Sequence, residues 1–311
     1  MPARPPSPGR PPPPPGPLPG QHCPGRRPWR VLDQHLLPHH LLSRIMLRLT
    51  RVRARWFKNW QIRWFLGRYP VDPATVSDPD PEAWPDFNSF FTRPLPPGAR
   101  PVVDGPGEAA SPVDGTVSQA GDLEDGLLLQ AKGCRYALEA LLAGTERARP
   151  FRGGTFATLY LAPRDYHRVH MPLDGRLLEA CHVPGRLFSV SPRTTEEVPG
   201  LFVRNERLVT VWETEAGPMA LVLVGALFVA GIETVWTGPL PRSRRPLSWR
   251  YSEQGGEGGP RLARGQELGR FNMGSTVIVL FPPERARLAP GVRPGARLRM
   301  GELLARVRTV G

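Results

Sequence analysis

Met219-Ala-Leu-Val-Leu-Val-Gly-Ala-Leu-Phe-Val-Ala-Gly-Ile232 is the longest apolar run in the chain of 311 residues, and its length decides the fold. It holds 14 residues, whereas a membrane-spanning helix needs roughly 20. Following Gly217-Pro218, the run reads as a buried strand or strand pair. Its neighbours agree. Gly115-Thr-Val117, Phe156-Ala-Thr-Leu-Tyr-Leu161, Leu208-Val-Thr-Val-Trp212 and Thr276-Val-Ile-Val-Leu-Phe281 are short apolar runs separated by Gly, Pro and Asp. That spacing is the signature of an all-β body. Residues 137–142 read as one short helix.

The chain carries 40 Pro and 33 Gly, which disfavours coiled coils and helical bundles because both residues break helix interiors. Thirteen of those prolines lie in residues 1–30. Such a tail buries too little apolar surface to fold and is expected to be disordered. The rest holds an ordinary core. Cys23, Cys134 and Cys181 form no CxxC pair, so neither a zinc site nor a disulfide framework is indicated and no metal is expected.

A net charge of +13 calls for an anionic partner. The interpretable part of that charge is residues 41–66, with seven basic side chains and no acidic one. On a helix, Leu42, Ile45, Met46, Leu49, Val52, Trp56, Trp60 and Trp64 share a stripe roughly 120° wide. Arg44, Arg48, Arg51, Arg55 and Lys58 lie opposite, while Arg53 and Arg63 interrupt the stripe, so two helices or a kink are expected. One reading is an ordinary helix packed on the body. The favoured one is an interfacial segment on anionic lipid, with its tryptophans at headgroup depth. No RNP-like, zinc-finger or helix-turn-helix pattern supports nucleic acid.

Three segments could carry chemistry. In Asp165-Tyr-His-Arg-Val-His-Met-Pro172, His167 and His170 would face one pocket on a helical turn, which Pro163 and Asp165 favour, and opposite faces on a strand. In Gly269-Arg-Phe-Asn-Met-Gly-Ser-Thr-Val-Ile278, Gly274 leaves its carbonyl unshielded beside the Ser275 hydroxyl. The GxSxG elbow of α/β-hydrolases is absent. Asp114, in Ser111-Pro-Val-Asp-Gly115, could orient a histidine. The similar Pro172-Leu-Asp-Gly175 offers Asp174, and spacing does not choose between them. Residues 251–265 read as a flexible Gly-rich loop.

With Phe90-Phe-Thr-Arg-Pro-Leu95, Ala131-Lys-Gly133, Val183-Pro-Gly-Arg-Leu-Phe-Ser189, Leu201-Phe-Val-Arg-Asn-Glu-Arg207 and Ile232-Glu-Thr-Val-Trp236, these segments make the chain resemble the bacterial-type phosphatidylserine decarboxylase proenzymes. The resemblance runs from about residue 34 to near residue 311. Met273 stands where the family motif usually has Leu, a volume-conserving swap.

The resemblance implies an α+β, mostly β fold. An antiparallel barrel- or sandwich-like catalytic body (71–311) would follow membrane-associating helices (31–70) and the tail (1–30). It implies self-cleavage between Gly274 and Ser275 by a triad of Asp114, His170 and Ser275. An ester and then dehydroalanine would lead to a pyruvoyl group on a small chain 275–311, held to a large chain 1–274. That group would bind phosphatidylserine as an imine, with His167 serving decarboxylation to phosphatidylethanolamine and CO₂. A homodimer, peripheral on the cytoplasmic side of the inner membrane, is implied as well. Two rivals are a serine hydrolase using Ser275, His170 and Asp114, and a non-enzymatic basic membrane or RNA adaptor.

Overall fold

The computed structural model describes residues 31, 38–131, 134–227, 231–241, 243–251, 258–272 and 274–309. The expected tail (1–30), the glycine-rich stretch 252–257 and Met273 lie outside them.

The body is mostly β. Its spine is a nine-stranded sheet in the order Leu247–Arg250, Gly175–Val183, Arg207–Thr214, Gly217–Val224, Ser275–Phe281, Thr155–Leu161, Gly115–Asp122 and Arg297–Leu298, with Arg261–Leu262 also paired to Gly175–Val183. A four-stranded sheet runs Gly238–Pro239, Ile232–Thr234, Glu267–Phe271, Arg168–His170, and smaller sheets of three and two strands complete the set. Every pairing between named strands is antiparallel. Among the described residues no sheet closes on itself, so the structure bears out the antiparallel, mostly β part of the expectation and not its barrel form.

Ser275–Phe281 is buried at every position. It reads as continuously apolar because covered faces remove any reason to alternate. The 219–232 run divides as a strand pair would: Gly217–Val224 ends before Gly225, and Ile232 opens a strand of the second sheet. Residues 138–141 are helical, as expected. Cys181 is a buried free thiol, whereas Cys134 is disulfide-bonded. Three cysteines leave room for one bridge, which the sequence spacing did not indicate.

The basic segment forms two helices, α1 (His39–Thr50) and α2 (Arg55–Arg68). The break at 51–54 removes the single stripe inferred for one rod. Ile62 and Phe65 of α2 pack with Trp84, Phe87, Phe90 and Phe91 in a second apolar cluster. Trp56, Trp60 and Trp64 stay 76%, 58% and 56% exposed. Lys58, assigned to the solvated face, is instead buried, its Nζ donating to Asn59 Oδ1 (2.7 Å) and the Pro81 carbonyl (2.8 Å).

The two Pro-x-Asp-Gly turns sit back to back. Ala110 N–H donates to the Pro172 carbonyl at 2.9 Å, and His170 N–H donates to the Pro112 carbonyl at 2.8 Å. Each turn leads into a strand of the large sheet, Gly115–Asp122 or Gly175–Val183.

Candidate active site

Ser275 is the first residue of the central strand, paired opposite Leu161. Its side chain is fully buried, and Oγ has no hydrogen-bond partner. Leaving a buried hydroxyl unpaired costs about 1–3 kcal/mol, so this atom is held where stability alone would not put it. Gly274 precedes it at φ +26°, and a Cβ built there would meet nothing within 4 Å. The space beside the Gly274 Cα is therefore open, and with no Cβ the glycine itself puts nothing over its carbonyl.

Two crossings frame this bond. Ser275 pairs with Leu161, and Phe271 N–H donates to the His167 carbonyl at 3.0 Å. These two pairings lie on either side of the Gly274–Ser275 bond and of the start of the histidine motif. The expected helical turn over the motif is not formed. Residues 163–165 make only a turn, and Arg168–His170 is a strand paired with Glu267–Phe271. Backbone bonds to that strand and to Pro112 take the segment out of helical geometry. Asp165 serves the turn instead, accepting from Ala162 N–H (2.8 Å) and from Arg297 (2.7 Å).

His170 is held at both ring nitrogens. Its Nδ1 lies 2.7 Å from the Gly265 carbonyl, and its Nε2 lies 2.9 Å from the Tyr166 hydroxyl. A carbonyl only accepts, so Nδ1 carries the proton and Nε2 is the acceptor, the arrangement of a neutral base. Burial pushes the His170 pKa down, outweighing the nearby carbonyl and the Glu267 and Asp114 carboxylates.

The direct Asp114–His170 bond of the expected triad is not formed. Asp114 Oδ2 accepts from Arg100 Nη2 at 2.7 Å, and Oδ1 accepts from Arg100 Nε (3.1 Å) and Met300 N–H (2.8 Å). The Gly265 carbonyl therefore orients the imidazole, and Asp114 acts on it through space. Asp174 is outside this group, accepting the exposed Arg264 N–H at 2.7 Å.

The Arg100–Asp114 pair is buried on both sides, with side chains 3% and 5% exposed. Removing one partner of such a pair leaves the other charge uncompensated. Arg100→Met is expected to lower stability by about 3–5 kcal/mol, read by urea unfolding in a Ser275→Ala background, where the chain stays in one piece.

His167 is fully buried, its ring stacked on Phe91 with centroids 4.2 Å apart and planes 22° apart. Burial, and then the Arg93 charge, push its pKa down to about 3. At neutral pH it is uncharged. Its Nε2 lies 3.4 Å from the Pro163 carbonyl, and its Nδ1 has no partner. A neutral imidazole with a dry, unused lone pair is suited to proton transfer in a water-poor site.

Sequence reasoning missed Tyr166, Arg100, Arg93 and the Gly265 carbonyl. Tyr166 stood inside the histidine motif, four residues before His170. Arg100 and Gly265 reach the site only through tertiary contacts, so no local pattern marks them. Asn272 was also missed. It joins Gly231, donating from N (3.2 Å) and Nδ2 (3.3 Å) to that carbonyl. Gly231 and Asn272 line a cavity of about 740 Å³ bordered by α1.

Neither imidazole is hydrogen-bonded to Ser275 Oγ, so an attack on the Gly274 carbonyl needs one of them to turn toward the buried hydroxyl. The arrangement also accepts a keto group at position 275. A pyruvoyl group there would put a methyl where the Ser275 Cβ stands and lose Oγ, and no hydrogen-bond partner of Oγ would be stranded.

The chain is similar to known proteins. A family model described as phosphatidylserine decarboxylase matches residues 87–306, and a second, PSD, matches residues 30–70. The chain is 52% identical over 277 residues to the phosphatidylserine decarboxylase proenzyme of Pseudomonas putida (strain GB-1), covering 88% of this chain and 96% of that protein. The same figures hold for the proenzyme of Pseudomonas aeruginosa (strain LESB58). Identity to that of Pseudomonas paraeruginosa (strain DSM 24068 / PA7) is 53% over 277 residues, with the same coverage.

Proposed function

The chain belongs to the phosphatidylserine decarboxylase family, and from that premise we propose how its residues perform the family's reaction. It is an enzyme precursor that converts phosphatidylserine to phosphatidylethanolamine and CO₂ after cutting itself.

In the self-cleavage step, His170 Nε2 takes the Ser275 proton and Ser275 Oγ attacks the Gly274 carbonyl. The amide becomes an ester as the 275 nitrogen takes up the proton, and elimination then frees the Gly274 carboxylate of the large chain 1–274 and leaves dehydroalanine on the small chain 275–311, which water converts to a pyruvoyl group with loss of ammonia. The Gly265 carbonyl keeps His170 in the tautomer whose lone pair can accept, and Asp114 favours the imidazolium that forms. Tyr166 gives up its bond to Nε2 for this step. The observation that carries this reading is the unpartnered, fully buried Ser275 Oγ beside a glycine carbonyl that no Cβ covers.

A pyruvoyl group made from Ser275 supplies an electrophilic carbonyl that secures the substrate amine and takes up the electron pair released with CO₂. Phe91 and Arg93 keep His167 neutral and fixed, so that its free lone pair could take up a proton released by the substrate amine and pass it to the carbon that loses CO₂. The surrounding apolar core excludes water, which favours loss of a charged carboxylate.

Intact mass of the purified protein, followed by a CO₂-release assay, tests the reading. Two chains, the smaller blocked at its N-terminus, are expected; a lasting single chain of 34.4 kDa would overturn it. A serine hydrolase would keep the chain whole and its serine open to fluorophosphonate labelling. An adaptor would also stay whole, and nothing in the site favours one.

We further propose that residues 31–70 seat the enzyme peripherally on anionic lipid at the cytoplasmic face. No helix among the described residues is long and apolar enough to cross a membrane. Supporting the proposal are the exposed Trp56, Trp60 and Trp64 on α2 and the acid-free run of basic residues beside them. Replacing the three tryptophans with alanine is expected to weaken vesicle binding by about 100-fold or more. Self-cleavage should continue, because those side chains are exposed. Co-sedimentation with phosphatidylglycerol vesicles reads the first effect and intact mass the second.

A further inference from the structure

The cavity beside the cleavage site has an arginine border whose chemistry the mechanism above leaves unused. At about 100° per residue, Arg44 and Arg48 form a row along α1 that Arg51, the residue capping its C-terminus, continues. On one side of the row lie Leu41, Ile45 and Leu49, which are 51%, 44% and 41% exposed. On the other lie Ser43 and Leu47, which line the cavity of about 740 Å³ together with Arg44, Arg51 and Arg244. One helix thus carries, in sequence around its circumference, an exposed apolar stripe, a cationic row and the wall of a pocket. That is the order of acyl chain, phosphate and headgroup across one leaflet.

At the pocket's other end Asn272 is bonded to the Gly231 carbonyl, two residues before Gly274. Two carboxylates line the pocket, and both are engaged. Glu206 meets His182 Nε2 at 2.9 Å. Glu233 accepts from Asn272 Nδ2 at 2.9 Å, with Arg51 at 3.4 Å and Arg270 at 3.6 Å. The volume suits a small ligand of headgroup size.

Building on the decarboxylase reading, we propose that this cavity is the headgroup-recognition site. Arg44, Arg51 and Arg244 hold the phosphodiester of a glycerophospholipid. The serine group points past Asn272 toward position 275, and the acyl chains stay on the Leu41–Ile45–Leu49 side. Guanidinium groups match a phosphate's oxygens in both charge and geometry. Each contact raises affinity for the intact lipid over free serine.

The test uses the self-cleaved enzyme and dihexanoyl-phosphatidylserine below its micelle concentration, with no vesicles, so that attraction to a surface contributes nothing. Arg44→Gln and Arg244→Gln are each expected to raise KM about tenfold, with kcat changed less than about threefold. Arg48→Gln, on the same row but outside the cavity, should leave both constants unchanged. Glycerophosphocholine, a phosphodiester without serine, should compete with substrate in the wild type and about tenfold less well in Arg244→Gln. Unchanged KM in both cavity variants would overturn the proposal, as would an Arg48→Gln effect equal to theirs, which would assign the row to general charge attraction. If the wild type itself stays uncut and releases no CO₂, it is the decarboxylase reading that falls.

Discussion

A Ser275→Ala chain is expected to remain a single species of 34.4 kDa and to release no CO₂ from phosphatidylserine, a loss of about 10⁴-fold or more. Two functions would vanish together because, in the proposed mechanism, residue 275 supplies both the nucleophile for the cut (Oγ) and the carbon that becomes the reactive carbonyl (Cα). The substitution is unusually clean. Oγ makes no hydrogen bond and lies fully buried, so its removal leaves no partner stranded. Stability should be unchanged or about 1 kcal/mol higher, and urea unfolding will separate loss of chemistry from loss of fold. Intact mass reads the cut. A Ser275→Ala chain that still divides at 274 would mean that another group attacks the Gly274 carbonyl.

The second large effect divides the two histidines. His170→Ala should stay uncut, slowed by about 10³-fold or more, because the base whose tautomer Gly265 fixes has gone. His167→Ala should still yield two chains, yet lose about 10²–10⁴-fold in CO₂ release. Their surroundings motivate the split. His170 lies at a strand end near the Asp114 charge, which can support an imidazolium. His167 is enclosed against Phe91 with its pKa pushed down to about 3, where a lasting positive charge is disfavoured. Alanine at 167 also opens a cavity against Phe91, so His167→Phe, which keeps a ring on the stack, is the companion variant. It too should cut without releasing CO₂. If His167→Ala stays whole while His170→Ala divides, the roles are exchanged.

Strands were legible in the sequence wherever burial alone shaped the pattern. Phe156-Ala-Thr-Leu-Tyr-Leu161 and Thr276-Val-Ile-Val-Leu-Phe281 need no distant information to read as strands, and they became neighbours in the sheet. Ser275, His167 and His170 stood out as candidates, but their roles came from the family resemblance, because a glycine before a serine can be a plain turn and a histidine pair is more often structural. What failed depended on partners far along the chain. The backbone of 167–170 follows the strand Glu267–Phe271, about a hundred residues later, and the sequence alone favoured a helical turn. Asp114 and Asp174 share one turn sequence. Only Arg100 and the Met300 amide bury the first, while the second stays at the surface. Lys58 lies on the polar side by periodicity but is drawn inward by Asn59 and the Pro81 carbonyl.

The position of Ser275–Phe281 carries a consequence for the life of the enzyme. This strand is registered against Thr155–Leu161 at seven positions and against Gly217–Val224 at five. While the polypeptide is continuous, its docking is an internal event whose odds do not depend on how dilute the protein is. Once the Gly274–Ser275 link is gone, the same strand belongs to a separate fragment, and any unfolding releases it into solution. Recovery then becomes a second-order encounter, slow at cellular dilution and open to competing partners. Maturation is therefore a ratchet. The precursor can fold, fail and try again, whereas the active form has a single assembled lifetime, set by how rarely its central strand lets go.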